Sequence, residues 1–590
     1  MKILLTVHQF YPNYFSGTEV LTYSVAKELI RRGHEVAVLT GFPAQRQLAD
    51  TERFDEYDLD GMQVFRFHHA FVPMGEQDVL TELEYDNELV AQYFAEIIGR
   101  FKPDVIHFFH LSRLGARLID VAIGAGIPAY YTPTDFWSVC PTSQLLLHGG
   151  KVCPGPTHYA GNCVKHVGEL TRGKRVRHVT RLMPNAVADL AVKMTADGTL
   201  PPYPLSREIT AMSRRKDFLV TRVNWLARVV SPTRLMTGVL VHNGVDEKVI
   251  VNSGYGIDTG NYNATLAARA EGDPLIIGFI GTLAPHKGSH VLLEAFKQLP
   301  AGTARLKLYG NPADFPDYFT ALQKRAGGRS DIEFCGTFPN PEIAQVIAGL
   351  HVLVVPSLWY ENHPLVLSSA MAAKRPVICS DFPGLVEVIK HESNGMVFPP
   401  GDVGALAERL GRLVKEPALL AQLSSNCQPP KSTVEYVNDL LTLYGTGERL
   451  PVPAHAGLRR VAPLQRGETR GFLSGWAVTD LAGPVRVSLR VGNETLGETS
   501  RFMPRFDVRD GLKRGGANVK ANAFGFILKL PESIDRDTAE LVCEAPGGRA
   551  VVVPMRTLTI GKGEHLGGGD YIAIDSERLM WQANTQAALT

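Results

Sequence analysis

Residues 278–296 read GFIGTLAPHKGSHVLLEAF, and residues 356–381 read PSLWYENHPLVLSSAMAAKRPVICSD. Into the first runs Leu275 to Ile280, an unbroken apolar segment of strand length. Gly281 to Gly288 then form a loop, and a helix capped by Ser289 is expected to run to Leu299. In the second, Pro356 and Ser357 leave a strand Val352 to Val355, Glu361 ends the loop, and Pro364 opens a helix where its missing N–H costs nothing. Leu306 to Tyr309 and Val377 to Cys379 supply further strands with helices between them, which is the rhythm of a doubly wound parallel sheet. Ligands of such sheets sit outside the carboxyl ends of the strands, so the loops after Ile280 and Val355 are where chemistry is expected.

The same rhythm opens the chain. Lys2 to Val7 reads as a buried strand, Tyr11 to Gly17 as a loop, and from Thr18 the residues Leu21, Val25, Ala26, Leu29 and Ile30 share one helical face that Gly33 terminates. Glu35 to Leu39, Asp104 to Phe108 and Ala129 to Thr132 follow as strands, and Pro429 to Tyr444 reads as the last helix of the pair. After Pro451 short alternating runs, Arg470 to Val478, Val485 to Val491, Phe524 to Leu530 and Ala539 to Cys543, indicate an antiparallel β-sandwich. The expected fold class is therefore α/β: two doubly wound Rossmann-like domains, residues 1–260 and 261–450, then an all-β sandwich, 460–560, and a loosely ordered Gly-rich tail, 561–590.

Composition narrows the partners. Among 590 residues, 61 Lys and Arg balance 60 Asp and Glu, so the net charge of +1 gives no reason to expect nucleic acid. No run of about 18 apolar residues occurs that would span a membrane, and the start MKILLTVHQFYP lacks the pattern of a secretory leader. Single cysteines such as Cys335, Cys379, Cys427 and Cys543 read as reduced buried thiols, and a cytoplasmic location is expected.

A loop bearing Lys287 and Gly288 immediately before a helix suits a phosphate, because backbone N–H groups, the helix N-terminus and the ammonium all favour negative charge. With Lys287-Gly288, Pro356 to Glu361 and Pro376 to Ser380 in this order and spacing, residues 1 to about 448 resemble a family 4 retaining glycosyltransferase of the GT-B fold. The resemblance implies a nucleotide-diphosphate-sugar donor and a polysaccharide or glycolipid (lipid-linked) acceptor. It implies that Lys287 contacts the diphosphate, that Glu361 contacts the transferred sugar, and that Gly17 lines the facing N-terminal loop. Gly281, Thr282, Asn362, His363 and Ser369 complete the expected donor site, and no cofactor is expected to serve catalysis. The chain departs from the family at four places: Ser369 replaces a second glutamate, Thr282 an arginine, Ser16 a glycine and Thr134 a histidine. Those departures motivate the alternative of a non-catalytic nucleotide-sugar or glycan-binding scaffold. A nucleotide-sugar epimerase would need a GxGxxG loop after the first strand, and Tyr11 to Gly17 has none.

Asp135, which follows Thr134, and His107 or His110 at a strand end are the candidates to assist the acceptor, with Asp135 preferred because a histidine at a strand end more often reads as a packed core residue. Cys140, Cys153, Cys163 and His166 lie in one Gly/Pro-rich stretch whose composition suits a structural zinc; three buried thiols are the alternative. The basic run of residues 172–181, with Arg214, Arg215 and Lys216 later, is either a solvated helix face or a peripheral contact with an anionic membrane. Trp476 in the β-domain either stacks on a sugar or packs in its core.

Overall fold

The structure is a computed structural model and describes residues 1–147, 150–171, 174–262, 269, 272–445, 472–479, 486–500, 503–504, 523–529, 538–544, 550–554, 571–574 and 579–582. Its first sheet holds eight strands: β1 (Lys2–Val7), β2 (Glu35–Pro43), β3 (Phe54–Leu59), β4 (Met62–His69), β5 (Val105–Phe108), β6 (Ala129–Tyr131), β7 (Arg228–Ser231) and β8 (Ile250–Asn252). They lie in the order β3-β4-β2-β1-β5-β6-β7-β8, and every pairing is parallel except the β3–β4 hairpin. β1 carries no polar alternation because both its faces are covered. Leu4 packs with Val90 and Phe94 of the helix Glu88–Phe101, and Ile3 and Leu5 pack with Leu21, Val25 and Leu29 of the helix Gly17–Arg31. Each such fully buried side chain contributes about 1.5–3 kcal/mol.

The second sheet is β9 (Leu275–Ile280), β10 (Ala304–Tyr309), β11 (Ile332–Gly336), β12 (Val352–Val355), β13 (Val377–Ser380) and β14 (Gly395–Phe398). Its order, β11-β10-β9-β12-β13-β14, is parallel throughout. In both sheets the direction of winding reverses beside the first strand, between β1 and β5 and between β9 and β12. Loops leaving the carboxyl ends of those strands diverge and leave a crevice there.

Several boundaries differ from the sequence expectation. The helix after the Lys287 loop runs Ser289–Phe296; its N-cap is Gly288 and Ser289 makes no capping bond. Pro364 is likewise an N-cap, with the helix starting at Leu365. The last helix begins at Thr433 rather than Pro429, since the preceding segment bridges Ile257 in parallel. That helix packs on the first domain, not the second, because Tyr436, Val437, Leu440 and Tyr444 complete the core above β1 and the helix Gly17–Arg31. Tyr436 Oη lies 3.1 Å from Thr132 Oγ1, and Tyr130 Oη donates to the carbonyl of Leu443 at 2.8 Å.

Beyond Gly445 the described residues form two sheets. One is antiparallel, with Glu494–Thr499, Arg486–Val491, Ala539–Glu544 and Ala550–Pro554 in that order. The other orders Met503–Pro504, Ala523–Lys529, Phe472–Thr479, Tyr571–Ile574 and Leu579–Gln582, with one parallel pair. The last two strands fall in the stretch 561–590 expected to be a loose tail; they pair because Tyr571–Ile574 finds the free edge of Phe472–Thr479. The remainder of that stretch, and the side chain of Trp476, lie outside the described residues.

Candidate functional site

The loops leaving β9 and β12 meet. Gly288 adopts φ +73°, and a Cβ on it would fall 1.8 Å from the carbonyl oxygen of Pro356, so only glycine lets the Lys287 turn lie this close to the Pro356–Pro364 loop. The two are stitched where Leu358 N–H donates to the carbonyl of His286 at 2.7 Å. Gly384 serves a similar purpose on the other side, where a Cβ would fall 1.9 Å from the carbonyl oxygen of Glu361.

Across this junction Lys287 Nζ donates to Glu361 Oε1 at 2.7 Å. The same oxygen accepts from Ser357 Oγ at 2.6 Å and Trp359 Nε1 at 2.9 Å, and the ammonium lies 4.9 Å from the Trp359 ring centroid. Glu361 is 5 % exposed. Burial alone would raise its carboxyl pKa, but the Lys287 ammonium and the three donated hydrogen bonds hold it below the usual value. The carboxylate is thus ionised, immobile and adjacent to the one strong cation of the loop. His286, whose ring meets Trp359 edge-on, is kept neutral by burial and by Lys287, its pKa lowered to about 4.

Other expected donor residues are placed differently. Asn362 is buried, and its amide is consumed between domains: Oδ1 accepts from Thr233 Oγ1 at 2.9 Å, and Nδ2 donates to the carbonyl of Pro133 at 3.2 Å and to Tyr255 Oη at 3.1 Å. It joins the two halves rather than presenting a free group to a ligand. His363 is turned toward Ser368 Oγ, 3.1 Å away, and against the Tyr255 ring, with burial lowering its pKa to about 4. Ser369 accepts from Tyr262 Oη at 2.8 Å. Thr282 is exposed, and Gly281 N–H is tied to the carbonyl of Tyr309 at 3.1 Å.

The facing wall comes from the switch point of the first sheet. Gly17 opens the helix Gly17–Arg31, exposed and with nothing near its Cα, and Thr18 Oγ1 donates to Thr134 Oγ1 at 2.9 Å. Asp135 accepts from Trp137 N–H at 2.8 Å and faces His110 Nε2 at 3.0 Å. Because Ser112 N–H donates to His110 Nδ1, the proton sits on Nε2 and His110 is the donor to Asp135. His107 is a core residue, bonded to Thr132 Oγ1 at 2.8 Å and Tyr444 Oη at 2.7 Å, and burial lowers its pKa to about 3.

Two residues absent from the sequence expectation join this wall. Glu19 is fully buried, takes a hydrogen bond from Ser16 Oγ at 2.5 Å, and leaves Oε1 without one, 3.5 Å from His8 Nε2. Burial raises its pKa. His8 lies against His110, tilted by 45° with 4.2 Å between centroids, and its pKa is lowered by burial first and then by His110, Arg113 and His69 beside it. The Ser16-x-x-Glu19 spacing of a capping box was the available signal.

Of the four side chains expected to hold a zinc ion, three are neighbours. Cys140, Cys153 and Cys163 are buried within electrostatic reach of one another, and burial pushes the Cys163 thiol up to about 12. Among the described residues, however, no group of three or more His, Cys, Asp or Glu side chains, His166 included, is arranged to hold a metal ion. Cys140 Sγ instead meets Thr142 Oγ1, and Cys153 Sγ donates to the carbonyl of Gly155. The basic run is also corrected in part. Arg215 is buried, donating to Glu84 at 2.8 Å and to the carbonyl of Trp137 at 2.8 Å, so it belongs to the core. Within 172–181 residues 172 and 173 lie outside the described residues, and Arg177 donates to the carbonyl of Glu169. Among the described residues no helix is long and apolar enough to cross a membrane.

Residues 15–150 match the Glycosyltransferase Family 4 model, and residues 267–428 the model described as Glycosyl transferases group 1. An uncharacterised glycosyltransferase of Methanocaldococcus jannaschii is 24 % identical over 422 residues, 70 % of this chain and 90 % of that one. The amylovoran biosynthesis glycosyltransferase of Erwinia amylovora is 26 % identical over 415 residues, 67 % and 88 % of the two chains. The crystal structure of HepE from Anabaena with UDP and glucose is similar at 17 % identity and a TM-score of 0.47, covering 76 % of this chain and 100 % of that one.

Proposed function

We propose that this chain, which carries a Family 4 and a group 1 glycosyltransferase domain on a GT-B fold, moves a sugar from a nucleotide-diphosphate donor to a polysaccharide or glycolipid acceptor with retention of anomeric configuration. The observation that carries this reading is the meeting of Lys287 and Glu361 at 2.7 Å at the switch point between β9 and β12. Transfer requires a leaving diphosphate to be stabilised as the anomeric carbon gains positive charge. Lys287 supplies the charge and the start of the helix Ser289–Phe296 the dipole for that diphosphate. On arrival the diphosphate draws the ammonium from Glu361, whose ionised carboxylate is then free to accept from sugar hydroxyls and to face the developing cation. The polymer side of the reading is supported by the likeness to the amylovoran biosynthesis glycosyltransferase. A peripheral membrane contact through residues 172–181 remains part of the proposal for a lipid-linked acceptor.

The test is a thermal-shift screen of the full chain against UDP, GDP, ADP and their sugars, followed by product analysis with the stabilising donor. A ligand at about one hundred times its dissociation constant adds about 2.7 kcal/mol of stability. Lys287→Ala is expected to lose the nucleotide shift and transfer together, and Glu361→Ala to lose transfer while keeping much of the shift. Stabilisation without product in the native chain would favour a non-catalytic binding scaffold, and unchanged turnover in either variant would overturn the assignment.

A further inference from the structure

A cavity of about 260 Å³ opens in the first domain at the carboxyl ends of β4 and β5, on the same side of the sheet as Asp135. Phe67, Met74, Leu83 and Trp137 give it a buried apolar wall, beside Asn87 and Glu84, whose carboxylate is taken up by Arg215 and the Trp137 indole N–H. Its mouth has a different character. Phe71 stands there 70 % exposed, and the Arg113 guanidinium lies over its ring, 5.4 Å from the centroid. His69 lines the same space with a buried Nε2 that has no hydrogen-bond partner.

Arg113 differs from three buried arginines of this domain. Arg117, Arg215 and Arg222 are each buried against a carboxylate. Among the described residues no carboxylate pairs with Arg113; its guanidinium lies over the Phe71 ring, and its charge acts on His8 and His69 nearby. Yet its position is fixed. The backbone at Arg113 takes φ +72°, which L-residues adopt only when their surroundings impose it. The residue before it is pinned by Ser112 N–H on His110 Nδ1, and Arg113 and His69 both pack beside Gly41. The strand-end loop thus spends conformational strain to hold an unpaired planar cation against an exposed aromatic ring.

We propose that this cavity is an acceptor subsite that takes one saccharide ring bearing an anionic substituent, the ring lying on Phe71 and the anion held by Arg113. This rests on the transferase reading above and adds the chemical class of acceptor. An aromatic face suits the apolar face of a sugar, and a guanidinium free of carboxylates presents a fork that matches a carboxylate or phosphate. His69, Ser112, Thr142 and Ser143 are among the lining residues and carry polar groups of the kind that pair with ring hydroxyls. A hydrocarbon tail would leave those polar groups unsatisfied. The volume lies just under the about 300 Å³ at which ligand pockets usually begin, so it admits one ring and leaves the rest of the acceptor outside. Trp137 links the cavity to the cleft, since its N–H is held by Asp135 Oδ1 at 2.8 Å.

The experiment is ligand-observed NMR titration of the full chain with D-glucuronate, glucose 6-phosphate and glucose at millimolar concentration. At least one anionic sugar is expected to bind about tenfold or more tightly than glucose, and the stronger of the two identifies carboxylate or phosphate as the recognised group. Arg113→Gln should abolish that preference, Arg113→Lys restore it in part, and Phe71→Ala weaken all three sugars alike. Phe71 is exposed, so its truncation keeps the test valid if Arg113→Gln fails to fold. Glucose binding as tightly as both anions, an unchanged preference in Arg113→Gln, or no binding by any of the three sugars overturns the subsite. Nucleotide thermal shifts are measured beside it. Nucleotide binding without saccharide binding defeats this subsite alone, whereas saccharide binding without any nucleotide response defeats the transferase reading instead.

Discussion

Replacing Lys287 by Met would strip the cation from Glu361 while leaving the methylene packing against Trp359. Glu361 is 5 % exposed, so its charge would be left buried with Ser357 and Trp359 as the described donors to Oε1. Breaking one side of a buried pair costs about 3–5 kcal/mol, and two surviving hydrogen bonds place this case near the lower limit, about 3 kcal/mol at pH 7. The pH dependence is distinctive. In the native chain the folded carboxyl pKa lies below its unfolded value of about 4.3, so the pair contributes fully above that pH and fades below it. In Lys287→Met burial, the largest influence, is opposed only by the Ser357 and Trp359 hydrogen bonds, so the folded pKa should rise above the unfolded one and the penalty shrink as the pH falls from 7 toward about 4.3. Urea unfolding of the full chain, followed by tryptophan fluorescence at pH 7 and pH 5, should show the deficit narrowing on acidification. The double variant Lys287→Met/Glu361→Gln should recover most of it. An equal deficit at both pH values, or a double variant as unstable as the sum of the singles, would refute the reasoning.

Gly288→Ala places a methyl 1.8 Å from the carbonyl oxygen of Pro356 at φ +73°, and should cost on the order of 3 kcal/mol or more, read as a fall in unfolding midpoint with loss of nucleotide shift. Asn362→Ala frees Thr233, Tyr255 and the carbonyl of Pro133 together, so a loss of about 2–3 kcal/mol is expected, with a larger radius of gyration by small-angle scattering as the halves separate. His107, His286 and His363 all have folded pKa values depressed by burial, so their contributions are complete above about pH 6.5 and are lost on acidification. Each adds up to about 1.4 kcal/mol per pH unit to the acid slope, and His107→Gln should remove one such increment in pH-dependent denaturation.

The strands that carry the site were legible because each is buried on both faces. β9 and β12 are unbroken apolar runs, and the turns after them are marked by Gly288, Pro356 and Pro364. The β3–β4 hairpin is not legible in the apolar pattern, since Phe54–Leu59 carries three carboxylates, Asp55, Glu56 and Asp58, spread over both faces; the Asp60-Gly61 pair, both at positive φ, is the signal that could have revealed it. Lys287 and Glu361 were found through motifs whose spacing fixes which loop they occupy. Asn362 and His363 enter the expected donor site by adjacency to Glu361, and Ser369 by standing where the family has a second glutamate; in the structure their polar groups bond to Thr233, Tyr255, Ser368 and Tyr262. Glu19, His69 and Arg113 come from three separate strand ends or helix starts, so their convergence appears only when the sheet order is known.

The helix Thr433–Gly445 also decides what the β-strand region travels with. Having left the second domain, the polypeptide is anchored against the first by Tyr444 on His107 and by Tyr130 on Leu443 before it continues. On the proposed function, everything downstream is tethered to the half that would receive the sugar, so any closure of the crevice on a donor would move the nucleotide-holding half relative to that appendage.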